Sequence, residues 1–345
     1  MNRLICASFL AILLNSCVQQ GAKAIIEYNI SGERLDILDN AVNMYGNIFL
    51  NESDSCILKS EMIGDDIVKK LFYSTGSVEN IIKKGRGPNE YINLKIWGID
   101  AIGEFYASSD ARGQIIKFTA DGKPFQSIDL NVRSLNIINL GDNYVSYGDY
   151  LTSDNAMYTL YDNVGNKIES FGEYPDDGIA TDYKYKTMAY QGKLLSNKTL
   201  SRFAFLTIFG NVFDIYEIQN KRIPKKISSI RREFPVYKPR RGAFGVIYDK
   251  FNFCYVDSYA TEKFIYALYS GKRPNDRDAD ADRKARETNI IYCYDWDGNH
   301  ACNFITNIKI LNFCVSSDDK FIIALYSDNG EMKVCTFDIA KVNYK

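Results

Sequence analysis

The sequence is poor in histidine: His300 is the only one among 345 residues. A metal site built from several histidines is therefore excluded. The chain also has no C-x-x-C spacing, no G-x-S-x-G motif and no P-loop, the signatures of zinc or thioredoxin sites, of α/β-hydrolases and of phosphate-binding loops. Its 42 basic and 43 acidic residues nearly balance. Because this leaves no basic surplus, we do not expect nucleic acid as a partner.

Long apolar runs are absent as well. The N-terminal run from Leu4 to Leu14 is too short to span a bilayer. It ends at Leu14-Asn15-Ser16-Cys17, which resembles a bacterial lipobox. Residues 1–16 are therefore predicted to be a lipoprotein signal peptide, with Cys17 lipidated as the first residue of the mature protein.

Residues 17–24 are predicted to tether this anchor to a single domain spanning 25–345. The alternative is ordinary secretion with cleavage after Ala24, because Ala22-Lys23-Ala24 is an A-x-A site. Both interpretations predict that the protein leaves the cytoplasm.

The cysteines that follow Cys17 lie mostly in apolar, strand-like runs. Buried free thiols are the prediction for such positions. A disulfide in an oxidising compartment remains the alternative, and its pairing cannot be read from the sequence. The six residues are Cys56, Cys254, Cys293, Cys302, Cys314 and Cys335.

One pattern recurs along the chain in six copies: in five of them an aromatic residue is followed four positions later by glycine or asparagine, which tolerate a left-handed turn. In the first five copies an apolar run follows, so each predicts a β-hairpin. The sixth ends in lysine, with almost no chain after it. The copies are Phe72–Gly76, Phe118–Gly122, Tyr161–Gly165, Tyr216–Asn220, Tyr294–Gly298 and Phe337–Lys341.

A further short strand is predicted upstream of each copy, which gives six units of about 45 residues, the period of propeller blades. The fold class predicted is all-β, a six-bladed β-propeller. The last unit has too little chain for its outer strand, while Ile25 to Ile30 is left unassigned at the start. We therefore predict that this N-terminal strand completes the last blade and closes the ring.

Two units carry insertions, Arg231 to Arg241 and the polar stretch Ser270 to Thr288. Insertions of this kind lie on a face of a propeller, where binding surfaces are commonly built. The second insertion places five acidic residues at positions 1, 3, 5, 7 and 12 of an EF-hand-like calcium loop. They are Asp276, Asp278, Asp280, Asp282 and Glu287.

Calcium binding is the weaker hypothesis for this insertion. Ala281 replaces the glycine of the sharp turn, no flanking helices are evident, and nearby arginines would neutralise the carboxylates. A solvated loop whose charges pair with each other is preferred, with no cofactor.

The segment Gly85-Arg86-Gly87-Pro88-Asn89-Glu90-Tyr91 matches every position of G-x-G-P-x-E-[FY]. That segment is the hallmark of the TolB-like six-bladed propeller lipoproteins of gut Bacteroidetes, which this chain resembles over essentially its whole length. The resemblance implies the fold and the cell envelope, but no particular reaction. Arg86, Asn89 and Glu90 are candidate ligand contacts at the mouth of the central channel. A blade-to-blade corner is the preferred interpretation, because a turn alone explains glycine and proline.

We expect a non-enzymatic binding module for a protein or glycan partner, held at the outer membrane by its lipid. The periplasmic side is favoured over the cell surface, because residues 18–23 lack the acidic residues that often mark surface-exported lipoproteins of this group. The alternative function is a calcium-dependent hydrolase or lyase, lactonase-like, with its site in the central channel.

Overall fold

We describe a computed structural model of the chain. The residues it describes are 25–38, 46–61, 64–109, 114–130, 136–148, 155–179, 183–219, 223–240, 243–246, 250–274 and 279–342. The predicted signal peptide and tether, residues 1–24, lie outside them.

Six sheets of the described residues stand around a channel as the blades of a propeller, each starting with an inner strand that contacts the inner strands of its two neighbours. The fold class predicted from the sequence is confirmed. Counted outward, the strands are Ile48–Asn51, Cys56–Ser60, Asp66–Phe72 and Val78–Lys83 in blade 1; Lys95–Ile99, Phe105–Ser109, Gln114–Phe118 and Pro124–Asp129 in blade 2; Asn136–Asn139, Asn143–Tyr147, Tyr158–Asp162 and Lys167–Phe171 in blade 3; Gly192–Ser196, Arg202–Thr207, Asn211–Glu217 and Lys225–Glu233 in blade 4; Phe253–Ala260, Phe264–Lys272, Thr288–Asp295 and His300–Ile310 in blade 5; and Asn312–Val315, Phe321–Asp328 and Glu331–Asp338 in blade 6.

The five predicted hairpins join the third and fourth strands of blades 1 to 5. Their glycines have positive φ, as at Gly165 (φ 98°), where a Cβ would lie 2.3 Å from the Asp129 carbonyl oxygen of the neighbouring blade. Only glycine fits there, because the turn is both left-handed and tightly packed. In the fourth hairpin Asn220 lies outside the described residues, but its two strands pair as predicted.

Each pair of neighbouring blades encloses one apolar cluster. Blades 1 and 2, for example, pack Leu58 and Ile82 against Ile96 and Phe105. Equivalent clusters lie between all the other neighbours, including blades 6 and 1. Strands of the inner positions are buried on both faces for this reason, so Ile48–Asn51 and Cys56–Ser60 are buried throughout.

The N-terminal segment closes the ring, as predicted, but through two strands. Gly32–Arg34 pairs antiparallel with Glu331–Asp338 and is the outer strand of blade 6. Ile26–Ile30, which the sequence analysis assigned to that blade, instead pairs in parallel with His300–Ile310 of blade 5. From this edge Ile30 is buried in the apolar cluster between blades 5 and 6.

Polar contacts near the channel join every pair of neighbouring blades. Asp257 of blade 5 is central to them, because its two carboxylate oxygens hold blades 4 and 6. In the order of the blades, the contacts are Asn47 Nδ2 to the Ile96 carbonyl at 3.4 Å, the Asn139 N–H to Tyr106 Oη at 3.0 Å, Asn136 Nδ2 to the Gly192 carbonyl at 3.1 Å, Lys193 Nζ to Asp257 Oδ1 at 2.7 Å, the Phe313 N–H to Asp257 Oδ2 at 3.1 Å, and the Ser317 N–H to Glu52 Oε1 at 2.6 Å.

The insertions all lie on the face where the inner strands begin. Besides a 3₁₀ turn at Asp36–Leu38, they comprise helix α1 (Tyr183–Ala189), a hairpin of Tyr237–Arg240 and Ala243–Val246, and helix α2 (Ala279–Arg286). No described helix is long and apolar enough to cross a membrane.

Asp177 fastens α1 to the hairpin by accepting hydrogen bonds from Tyr190 Oη at 2.8 Å and Tyr237 Oη at 2.7 Å. Lys186 Nζ also lies 3.2 Å from its carboxylate. Burial acts to raise the pKa of Asp177, but the bonds from Tyr237, Tyr190, the Ile179 N–H and Lys186 outweigh it, so the pKa is lowered. The carboxylate is therefore charged at neutral pH and holds both insertions.

Candidate functional site

A cavity of about 520 Å³ opens at the end of the central channel where the inner strands finish. All six blades contribute to it, mostly through the turn that follows each inner strand. Examples are Glu52, Asp100, Asn197, Thr261 and Ser317. Its size is that of a site for a small molecule rather than for a folded partner.

Aromatic side chains form much of the wall, in particular Trp97, Tyr106, Phe125 and Tyr259. The Trp97 ring is held in place by a hydrogen bond from Nε1 to Ser108 Oγ at 2.7 Å and by the Lys95 ammonium 4.0 Å from the ring centroid. Burial raises the pKa of both Tyr106 and Tyr259, so their hydroxyls stay neutral. Phe125, by contrast, is 51% exposed at the rim.

Some of the polar groups around the cavity serve the fold. Asp100 Oδ1 accepts the Ile102 and Glu104 N–H groups at 3.0 and 2.9 Å and so shapes its own turn. Glu52 and Lys193 belong to the contacts between blades.

Three charged lining groups are not used in this way: the exposed Lys198 and, closer to the aromatic side chains of blade 2, Glu104 and Lys117. Within the described residues, the Glu104 carboxylate makes no hydrogen bond or ion pair, and Lys117 makes only a cation–π contact, 5.9 Å from the Tyr144 ring centroid. Both side chains are half-buried and belong to blade 2. A carboxylate and an ammonium are thus available to a ligand beside an aromatic wall.

The candidate ligand contacts Arg86, Asn89 and Glu90 do not line this cavity. Their segment leads into the start of the blade 2 inner strand, whereas the cavity lies at the ends of the inner strands. Glu90 Oε2 accepts the Gly87 N–H at 2.8 Å, and a Cβ on Gly85 would lie 1.9 Å from that oxygen. Asn89 has a φ of 59°.

These contacts within residues 85–91 form a compact turn between the outer strand of blade 1 and the inner strand of blade 2. The carboxylate of Glu90 folds back over two glycines, so a Cβ on Gly85 or Gly87 would lie within 3 Å of it unless Glu90 moved. Tyr91 then packs edge-on against Phe118 of blade 2, with ring centroids 5.6 Å apart. Within the described residues Arg86 forms no ion pair with Glu90 and is exposed.

The acidic insertion is a helix over part of its length, not the polar loop predicted. Asp280 and Asp282 lie in α2, Glu287 follows it, and Asp276 and Asp278 lie outside the described residues. Asp280 supports this helix by pairing with Arg283 and with Lys284, one turn later, each at 2.6 Å.

Arg283 also pairs with Glu287. The charges of the insertion therefore pair with one another as predicted, but in and next to a helix instead of in a loop. No cluster of three or more metal-ligating side chains occurs among the described residues. Because Asp276 and Asp278 lie outside the described residues, the predicted calcium site stays a prediction. Cys17, the predicted lipidation site, also lies outside the described residues.

The fold and the cavity define the class: an all-β, six-bladed propeller with a ligand-sized pocket at one end of its channel. Residues 50–318 match the family model described as TolB-like 6-blade propeller-like. The chain belongs to this TolB-like propeller family.

Two solved structures show the same fold. One is described as "Putative exported protein" from Bacteroides fragilis NCTC 9343, with 14% identity and a TM-score of 0.54, covering 91% of this chain and 99% of that one. The other is a member of the DUF4221 family from Bacteroides vulgatus ATCC 8482, with 8% identity, a TM-score of 0.53 and coverage of 91% and 98%. No curated protein sequence matches the chain significantly.

Proposed function

We propose that this protein is a binding module of the cell envelope whose cavity takes a short glycan. The observation that carries the proposal is the aromatic wall of the cavity beside the available Glu104 and Lys117. Sugar rings offer apolar faces to aromatic side chains and hydroxyls to carboxylates and ammonium groups, which this combination would satisfy. A concave site of this volume encloses a small ligand, whereas a protein partner would need a broad surface.

The test is calorimetric titration of the protein with a panel of envelope and dietary oligosaccharides. We expect Glu104→Gln and Phe125→Ala each to weaken binding about tenfold, a loss of about 1.4 kcal/mol, because one removes a charged hydrogen-bond acceptor and the other an apolar contact. Phe125 is exposed, so its truncation should leave folding intact.

Arg86→Ala is the matched control, an exposed change on the other face. It should leave glycan affinity unchanged. Loss of binding in Arg86→Ala but not in the cavity variants would contradict the proposal and favour the Gly85–Tyr91 segment as the site. Conversion of a sugar or lactone during the titration would instead favour the hydrolase or lyase alternative.

We further propose that Cys17 carries a lipid that anchors the propeller to the outer membrane, facing the periplasm. The lipobox supports this placement, and a resemblance in fold to a protein described as exported is consistent with it. Mass spectrometry of the mature N-terminus should find Cys17 acylated, and Cys17→Ser should release the chain from the membrane. An unmodified chain that begins at Ile25 would contradict the anchor.

The membrane side is tested separately, by treating intact cells with protease. We expect the propeller to be protected until the outer membrane is opened. Cleavage in intact cells would place the protein on the cell surface, but it would not contradict the proposed lipid anchor at Cys17.

A further inference from the structure

Two cysteines of blade 5 face each other across adjacent strands. Cys293 and Cys302 are direct partners in the antiparallel pairing of Thr288–Asp295 with His300–Ile310. Residues opposite each other in such a pair point to the same face, with Cβ atoms about 4.5–5.5 Å apart. Disulfides join residues whose Cα atoms are about 4.4–6.8 Å apart, a range that antiparallel partners meet. Burial raises the pKa of Cys293, and the neighbouring Cys302 thiol raises it further.

The other four cysteines lack this arrangement. Cys314 lies opposite Ile323, Cys335 opposite Ala324, and Cys56 opposite Asn51. Cys254 falls at an irregularity in the pairing of its strand. Among the six cysteines in the described residues, all of them buried free thiols, the fold thus brings one pair into register.

We propose that Cys293 and Cys302 are the site of a disulfide, formed when the chain folds in the presence of a disulfide donor. One thiolate attacks a sulfur of the donor, which leaves a mixed disulfide and a free donor thiol. The second thiolate then attacks the protein sulfur of that mixed disulfide and displaces the other donor sulfur. Two protons leave the protein thiols, two electrons pass to the donor, and one bond joins the two sulfurs.

The bond forms before blade 6 packs against blade 5. In the folded chain both side chains are buried in the apolar layer between blades 5 and 6, where a bulky donor cannot reach them. Burial also raises the pKa of Cys293, so the thiolate that attacks is scarce once the blade has formed. Pairing of the two strands brings the sulfurs together, and closure of the neighbouring blade then seals the bond.

The experiment is refolding of the full chain with disulfide mapping. Reduced, unfolded protein is refolded with oxidised glutathione, its remaining thiols are alkylated under denaturing conditions, and peptides are analysed by mass spectrometry without reduction. We expect most chains to contain a Cys293–Cys302 peptide pair, while Cys314 and Cys335 are alkylated. The folded, reduced protein should acquire the bond much more slowly than the refolding chain.

Cys302→Ala is the first control variant and should leave Cys293 alkylated, with no new partner. Cys335→Ala, a matched change at another buried cysteine, should leave the Cys293–Cys302 bond intact. Alkylation of both residues in the refolded wild-type chain, or a bond between Cys293 and any other cysteine, would overturn the proposal. Protein taken from the cell envelope provides an independent reading. The same bond is expected there, and free thiols at both positions would overturn the proposal that the site is oxidised in the cell.

Discussion

Replacement of Asp257 by alanine is expected to lower the free energy of unfolding by up to about 3–5 kcal/mol, the cost when one member of a fully buried ion pair loses its partner; the Lys193 side chain is 19% exposed, which reduces that cost. Asp257 is 6% exposed. Its loss would strand the Lys193 ammonium, which lies 2.7 Å away, and would remove the acceptor of the Phe313 N–H. Because these groups come from blades 4 and 6, one substitution weakens two blade interfaces.

The measurement is equilibrium unfolding in urea, followed by tyrosine and tryptophan fluorescence and by circular dichroism. The double variant Asp257→Ala with Lys193→Met should be less destabilised than the sum of the two single variants, because no charge is then left unpaired. Asp121→Ala is the matched control: its pair with Lys123 is 2.7 Å long but exposed, so the midpoint should not move. An Asp257→Ala midpoint equal to wild type would show that the contacts between blades near the channel contribute little.

Removal of the closing strands should have an effect of similar size. A chain that begins at Leu35 lacks both Ile26–Ile30 and Gly32–Arg34, which exposes the Glu331–Asp338 edge and empties the place of Ile30. We expect a loss of several kcal/mol, since burial of one isoleucine alone contributes about 1.5–3 kcal/mol. A chain that begins at Gly32 keeps the blade 6 strand and should lose less. Thermal melting of the two truncated proteins measures the difference.

Gly32→Val offers a point test of the same closure in the full-length chain. A Cβ at this position would lie 2.6 Å from the Phe337 ring, so the outer strand of blade 6 should be pushed away and the melting temperature should fall. Glu33→Val, at the exposed neighbouring position, is the control. If the chain that begins at Leu35 melted at the wild-type temperature, the closure by these strands would not stabilise the ring.

The sequence carries the fold because each hairpin turn needs a residue that accepts positive φ at a fixed distance from an aromatic anchor. Gly122 and Gly165 are constrained by contacts with the preceding blade as well as by their own turns. The repeated glycine therefore reflects the packing between blades as well as the turn itself. Ile26–Ile30 was predicted to complete blade 6 but pairs with blade 5. The sequence does not distinguish the two, because an outer strand can pair with the edge of either blade. Burial of Ile30 between blades 5 and 6 favours the blade 5 edge, and this contact is not visible in the sequence.

The cavity was missed for a different reason. Trp97, Glu104 and Lys117 are close in sequence, but the other walls come from turns as distant as Glu52 and Ser317. No local spacing in the sequence can reveal a site that six separate turns build together.

The Gly85–Tyr91 segment is the opposite case, a conspicuous sequence motif that lies away from the cavity. It stands out in the sequence because Glu90 folds back over its glycines, and that contact belongs to the turn itself.

The parallel pairing of Ile26–Ile30 with His300–Ile310 also has a mechanical consequence. A force that pulls on the chain ahead of Ile26 acts along this strand while Gly32–Arg34 holds its far end in blade 6. The load is then applied in shear, and the hydrogen bonds along five residue pairs must fail together instead of opening one after another, as they would at the end of a hairpin. If the protein were held by its N-terminus, as proposed, traction would therefore fall first on the strand that closes the ring, and it would load that strand along its length.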